Sequence, residues 1–412
     1  MRHIYTGIDI GTDSIKLVTL EKYREKLNVL ASVTVKSQGL KKGLITDATL
    51  CSSAIKKGIK ELESKLGTKI DKVVAIIPSN NRDLSVKTTK VKIDNNVDNA
   101  ITNNDVYKGL QEIIKSSKET GHEIVLVNPI DYQVDGKKNI LNPVGISGKE
   151  LAIKAVVASV PKKNLLSVVS VLESIGIEVV DVTFSTVGDY YATKNSDLDR
   201  STSVIVNIGY DTTNISLFNK GVMVKDQILD IGSSSIDSDI DFVYKLNKKD
   251  LLDLKENFAV ASKRYADSQE NYRLVNRFNV KIEIDQYELA EVIEARVVDI
   301  LKTIKRSINN LTTKEISYII ITGGITDMTG FDSVVDDVFV RHASIMNMNV
   351  IGLRYNKYSS CYGTIKYLID KIEGRDKNYT MFSDTQIEEM LVPRKKSGPS
   401  SVLNKIFERF FE

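Results

Sequence analysis

The last thirteen residues carry the sharpest apolar pattern in the chain. Val402, Leu403, Ile406, Phe407, Phe410 and Phe411 recur at i, i+1, i+4, i+5, i+8 and i+9. On a helix they form one stripe, with Lys405, Glu408, Arg409 and Glu412 on the other side. The segment 400–412 is too short to span a bilayer, which takes about 20 apolar residues. It is expected to be an amphipathic helix lying in the membrane interface. The polar stretch 376–399 before it contains Arg394-Lys395-Lys396 and Ser397-Gly398-Pro399, and reads as a flexible linker without apolar anchors. A partner's groove and the chain's own core are the alternative seats for such a helix.

Upstream the pattern changes to short aliphatic runs. Residues 4–10 predict a buried strand, Gly11-Thr12-Asp13-Ser14 a turn and 15–20 a second strand, with a third at 29–35. A helix over 48–66 and a strand over 72–77, stopped by Pro78, complete the unit. A separate block follows at 83–160. It has strands at 83–93, 123–134 and 151–160 and a helix at 102–116 capped by Thr102. After a helix at 163–175 the opening pattern returns. Residues 203–208 are a strand, Gly209-Tyr210-Asp211-Thr212-Thr213 a turn and 214–218 a strand. A helical stretch at 235–267, a helix at 286–310, a strand at 317–322 ending in Gly323-Gly324, and a helix at 359–372 follow. A repeat of this size predicts two similar α/β lobes facing one cleft. The first lobe is expected to comprise 1–82, 161–200 and 355–375. The second is expected at 201–354.

Bulk properties narrow the class. A chain of 412 residues exceeds one compact core, and a formal charge of +3 implies no polyanion, so no nucleic-acid partner is expected. Two distant cysteines offer neither a disulfide framework nor metal-ligand spacing. With no secretory signal pattern, the chain is expected in the cytosol. Three scattered histidines make no cluster.

The two glycine turns are the candidate chemistry. Each offers backbone N–H groups and hydroxyls at a hairpin bend, which suits an anion. Glycine lets phosphate approach the backbone closely. One turn from each lobe grips the β- and γ-phosphates of a nucleotide from two sides. Gly323-Gly324, straight after a buried strand, gives a flat surface for adenine or ribose.

These residues resemble the actin/chaperone/sugar-kinase ATPase superfamily, and within it the FtsA family of bacterial cell-division proteins. Asp9-Ile-Gly-Thr12, Ile208-Gly-Tyr-Asp-Thr-Thr213 and Ile321-Thr-Gly-Gly-Ile325 are similar to its two phosphate motifs and its adenosine motif. The stretches 37–47, Val134-Asp-Gly136 and Asn142–Gly148, and the helix segment Glu291–Arg296, are similar to FtsA in particular. The resemblance covers essentially the whole chain. It implies a two-lobed actin-like α/β fold with an FtsA-type subdomain at 83–160 and a C-terminal amphipathic helix. It implies ATP and Mg²⁺ as cofactors. Gly11, Thr12, Asp13, Ser14, Lys16, Gly209, Tyr210, Asp211, Thr212, Thr213, Gly232, Lys255, Gly323, Gly324 and Ile325 are placed at the nucleotide. Asp9 and Asn207 are placed at the metal through water.

Departures from the family pattern bear on turnover. Asn207 stands where Asp is usual, Tyr210-Asp211 where small residues are usual, and Leu252 where a ribose-binding Glu is common. Ser185 falls where active relatives orient the attacking water. ATP binding with weak or absent hydrolysis is therefore expected. The resemblance further implies head-to-tail filaments, attachment to anionic lipid, and a place at the division site on the cytoplasmic face of the membrane. It also implies capture of the C-terminal peptide of FtsZ, with Arg296, Lys302, Lys305 and Arg306 facing the peptide. A pilus-assembly actin homologue and a sugar-kinase-like enzyme are the alternatives on the same fold.

Overall fold

The computed structural model describes residues 2–94, 99–374 and 378–391. The expected membrane helix, with its six apolar side chains, and Arg394, Lys395 and Lys396 lie outside them. Two five-stranded sheets share one topology. In the first, Lys26–Lys36, Ser14–Tyr23 and Arg2–Ile10 form an antiparallel meander, and Lys72–Ile76 and Glu178–Thr183 add in parallel. In the second, Val222–Leu229, Thr213–Asn219 and Thr202–Ile208 form the meander, extended in parallel by Tyr318–Thr322 and Ser344–Ile345. The repeated hairpin is thus the start of a repeated sheet. Both sheets are covered on two faces, so their central strands are nearly continuous apolar runs. Ile4, Tyr5, Ile8 and Ile10 are buried in one, and Val204, Val206 and Ile208 in the other.

Helix Ala48–Leu66 begins where the Asp47 carboxylate accepts from the Leu50 N–H, and ends at Gly67 with φ +91°. It buries Ile55, Ile59, Leu62 and Leu66. Two further helices cross where the lobes meet. Ser359–Glu373 packs on the first sheet and Ser185–Thr193 on strands of the second. The crossing depends on glycine. A methyl group at Gly363 would sit 1.7 Å from the Gly188 carbonyl oxygen, and one at Gly188 would sit 2.3 Å from that of Ser360. Residues 185–193, expected within the first lobe, therefore act as the link between lobes, because their apolar face rests on the second sheet.

The block at 83–160 is a four-stranded antiparallel sheet. Its order is Asp83–Lys92, Glu150–Pro161, His122–Val134, Lys137–Ile140. Helix Asn103–Ser116 packs on it, started by a capping box between Thr102 and Asp105. Ile93, Ile101, Ile113, Leu151 and Ile153 form a core of its own. The expected single helical stretch 235–267 is instead two helices, Ser234–Tyr244 and Lys248–Asn257. Lys245, left-handed at φ +54°, breaks it and turns Leu246 into the core. An unforeseen hairpin, Asn271–Val275 with Lys281–Asp285, leads into helix Gln286–Leu311.

The linker expected from 376 is also corrected. Residues 378–391 dock on the first lobe. The Ile4 N–H donates to Thr380 Oγ1 at 3.0 Å, the Tyr5 hydroxyl to the Tyr379 carbonyl at 2.6 Å, and the Met381 N–H to the Ile4 carbonyl at 3.0 Å. Met381 and Phe382 are buried, and Ile387 and Met390 of helix Asp384–Leu391 rest on the same core. These are the apolar anchors that the polar composition concealed. Among the described residues no helix is long and apolar enough to cross a membrane.

Candidate functional site

Both glycine turns open onto one cleft of about 900 Å³ between the lobes. They close in the same way. The Gly11 N–H donates to the Ser14 carbonyl at 3.2 Å, and the Gly209 N–H to the Thr212 carbonyl at 2.9 Å. A methyl group at Gly11 would lie 2.9 Å from both the Ser14 oxygen and Lys16 Nζ, and one at Gly209 would lie 2.9 Å from the Thr212 oxygen. Lys16 sits directly across the first hairpin from Asp9, with Nζ 3.1 Å from its carboxylate. In the second copy Asn207 faces Asn214. Lys16 is therefore the one cation among these four matched positions. Gly323 follows strand Tyr318–Thr322 at φ +111°, and a side chain there would strike the Ile208 carbonyl at 2.2 Å. Gly324 and Ile325 line the same cleft, with Leu252, Lys255 and Glu256 from helix Lys248–Asn257.

The unusual residues of the second turn are accommodated sideways. The Tyr210 hydroxyl donates to Asp237 at 2.9 Å, and Lys255 pairs with the same carboxylate. Burial, and then the Asp237 charge, push the Tyr210 phenol far up from its usual range. The Asp211 carboxylate accepts from the Lys42 backbone N–H at 3.0 Å, while Lys42 Nζ pairs with Asp230 at 2.8 Å. The next N–H, of Gly43, donates to Thr12 Oγ1 at 2.8 Å. The small hairpin formed by Leu40–Lys41 and Leu44–Ile45 thus reaches both turns. Asp13 turns to Lys36.

Two expected contacts are corrected. Thr213 is fully buried and its hydroxyl donates to the Ile231 carbonyl at 2.7 Å, away from the cleft. Gly232 lies behind the turn, where a side chain would meet the Tyr210 carbonyl at 2.4 Å. Both brace the loop from outside the cleft.

Asp189 is the residue that motif matching passed over. It is 1% exposed, on helix Ser185–Thr193. Asn207 Nδ2 donates to its Oδ2 at 2.6 Å, and Ser359 and Ser360 donate to its Oδ1 at 2.6 and 2.8 Å. Burial raises its pKa to about 6 against the pull of these three donors. The available signal was a lone carboxylate in a helix with no other charged residue. Ser185, at the start of that helix, lines the cleft.

Among the described residues no group of three or more His, Cys, Asp or Glu can hold a metal ion. The glycine cradles and Lys16 fit phosphates, and Asp9 and Asn207 line the same cleft, so the donor set suits a cation carried in by a nucleotide rather than a resident metal. The four residues expected to face a partner do not form one free basic face. Arg296 grips Asp239 through two bonds of 2.5 and 2.8 Å, and Lys305 donates to the Val338 carbonyl at 2.8 Å. Lys302 and Arg306 are exposed.

Family models match two parts of the chain. One, an SHS2 domain inserted in FTSA, matches residues 82–159; the other, cell division protein FtsA, matches 204–363. The chain belongs to the FtsA family. The first match coincides with the inserted four-stranded sheet. Cell division protein FtsA of Bacillus subtilis (strain 168) is 26% identical over 394 residues, spanning 94% of this chain and 89% of that protein. FtsA of Streptococcus pneumoniae serotype 2 is 27% identical over 353 residues, spanning 85% and 77%. Among solved structures, the PilM-PilN type IV pilus biogenesis complex matches with a TM-score of 0.60 at 13% identity, covering 87% of this chain and 97% of that one. MreB5 of Spiroplasma citri bound to ADP matches at 0.53 and 12% identity, covering 91% and 99%. The fold is actin-like, and this FtsA-family chain is a cell-division actin homologue.

Proposed function

We propose that the chain binds Mg-ATP between its two glycine turns, assembles head to tail, and ties FtsZ polymers to the inner face of the cytoplasmic membrane at the division site. The observation that carries this reading is the matched pair of turns across one cleft, with Lys16 as the cation between them. Lys16 and the amides of Gly11–Ser14 and Gly209–Thr212 take the phosphates, and Gly323, Gly324 and Ile325 take the adenosine. Bound Mg²⁺ supplies neutralisation of phosphate charge. Hydrolysis is slow or absent, because Ser185 is too short to orient a water and Asn207 carries no charge of its own. ATP then acts as a wedge that sets lobe closure.

The tail is a weak anchor singly. Full burial of its six apolar side chains would contribute at most about 1.5–3 kcal/mol each, but partial immersion and the ordering of the helix leave much less, and Arg394, Lys395 and Lys396 add about 1 kcal/mol each on anionic lipid. Many tails on one filament gain avidity through effective concentration. The exposed Lys302 and Arg306 suit the acidic C-terminal peptide of FtsZ. The likeness to a pilus complex supports the fold alone, whereas the match of the inserted domain favours cell division.

Pelleting the full chain with anionic liposomes, with and without ATP, and imaging the pellet by electron microscopy tests the reading. Filaments on the lipid with ATP are expected, lost in the Phe407→Glu/Phe410→Asp variant. Equal pelleting by that variant refutes the anchor, and bare liposomes refute the assembly.

A further inference from the structure

The Asp189–Asn207 contact fixes more than a hinge. Asn207 Nδ2 has two hydrogens, and both are spent, on Asp189 Oδ2 at 2.6 Å and Ser360 Oγ at 3.0 Å. The Ser360 hydroxyl returns its own hydrogen to Asp189 Oδ1 at 2.8 Å, closing a ring of three bonds. Ser359 also donates to Oδ1, at 2.6 Å, so the 2.8 Å contact between Thr322 and Ser359 must be donated by Thr322. Every hydrogen in the network therefore has one assignment. A flipped Asn207 amide would set its oxygen against the carboxylate, so chemistry decides which way it points. Asn207 also lines the cleft, and its Oδ1 is the acceptor left to face it.

A carboxylate stands one side chain behind Asn207, on Asp189. A hydrated cation on the phosphates needs acceptors for its water hydrogens, and negative charge behind them. Asn207 supplies an acceptor, and Asp189 lies behind it on a different helix. Nearer the phosphates, the carboxylate of Asp9 is already paired with Lys16. A buried carboxylate on the amide N–H groups polarises that amide and makes its oxygen a stronger acceptor. The helix crossing at Gly188 and Gly363 brings Asp189 to this place, since Ser359 and Ser360 open the facing helix.

We propose that Asp189 is a positioning residue for the metal-nucleotide. It locks the Asn207 amide oxygen toward the phosphates and supplies, through that amide, the negative charge that retains the water shell of Mg²⁺. This rests on the nucleotide reading above and adds a residue and a role to it.

The test is Mg²⁺ titration of the full chain at fixed ATP and neutral pH, followed by thermal stabilisation, with a parallel ATP titration in EDTA. Asp189→Asn is expected to raise the Mg²⁺ midpoint about tenfold, the order of effect of one partly screened unit charge, and to leave ATP binding in EDTA equal to or tighter than wild type, because the lost carboxylate repels the phosphates. Asp189→Asn/Asn207→Asp returns the carboxylate to the cleft wall and is expected to restore the wild-type midpoint. Ser360→Ala, which keeps Asp189 but opens the ring, is expected to shift the midpoint the same way by a smaller factor. That variant and the double exchange keep the proposal exposed if Asp189→Asn does not fold. An unchanged midpoint in folded Asp189→Asn overturns it, as does a folded double exchange that is not restored or a neutral Ser360→Ala. A wild type that ATP stabilises equally with and without Mg²⁺ overturns the proposal alone. A wild type that ATP does not stabilise under either condition overturns the nucleotide reading and the proposal together.

Discussion

Arg82 joins three parts of the molecule, and its removal has a calculable cost. It immediately precedes the inserted strand Asp83–Lys92. Its side chain is 1% exposed, with Nη2 2.6 Å from Asp226 on the second sheet, and its guanidinium carbon is 4.2 Å from the centre of the Phe184 ring. Burial lowers the Arg82 pKa, and the charge of Asp226 and its hydrogen bond oppose that. Its Nε and Nη1 have no acceptor among the described residues. Arg82→Ala leaves Asp226 as a nearly buried charge without its partner, which costs about 3–5 kcal/mol. Arg82→Met keeps the stem packed and recovers only the packing part. Arg82→Met/Asp226→Leu removes both charges along with the unsatisfied donors. It is expected within about 1 kcal/mol of wild type or above it. The chain has no tryptophan. Urea unfolding followed by far-ultraviolet circular dichroism, with hydrogen exchange on 83–92 and 222–229, therefore reports the effect. A single variant costing under 1 kcal/mol would mean that water reaches Asp226. A double variant as damaged as the singles would mean that the pair stabilises the junction outright. Either result refutes the reasoning.

Two further predictions concern the helix crossing. Gly363→Ala should destabilise the chain by about 2–3 kcal/mol in thermal unfolding, because overpacking outweighs the roughly 1 kcal/mol gained in helix propensity; an unchanged melting temperature contradicts the close approach. Asp189 has its folded pKa raised from 3.8 to about 6, so the folded state holds this proton longer than the unfolded chain does. The stability difference between wild type and Asp189→Asn should therefore fall by about 3 kcal/mol as pH rises from about 4 to 6; a flat difference across that window contradicts it.

What the sequence disclosed followed the range of the forces involved. Helix Ala48–Leu66 was legible because Asp47 and Gly67 mark its ends locally, and Gln286–Leu311 because its apolar stripe runs unbroken. The paired hairpins were legible because a central strand must be apolar and a phosphate turn must be small. Residues 378–391 were not, because Met381 and Phe382 become anchors only when Ile4 and Tyr5 are brought to them from the other end of the chain. The break at Lys245 rests on a left-handed backbone that no glycine announces. Thr213 looked like a phosphate hydroxyl by position, and only its bond to Ile231 reveals which side of the turn it takes. Asp189 was missed because its partners, Asn207, Ser359 and Ser360, come from other elements.

The central claim is that the two turns hold a nucleotide through Lys16. Its most direct measurement is the melting temperature of wild type and Lys16→Met as Mg-ATP is raised to millimolar concentration, each compared with its own nucleotide-free baseline. A ligand at about 100 times its Kd stabilises the folded state by about 2.7 kcal/mol. Wild type should shift by an amount of that order and Lys16→Met should lose most of the shift. No shift in wild type, or an equal shift in both, would contradict the account.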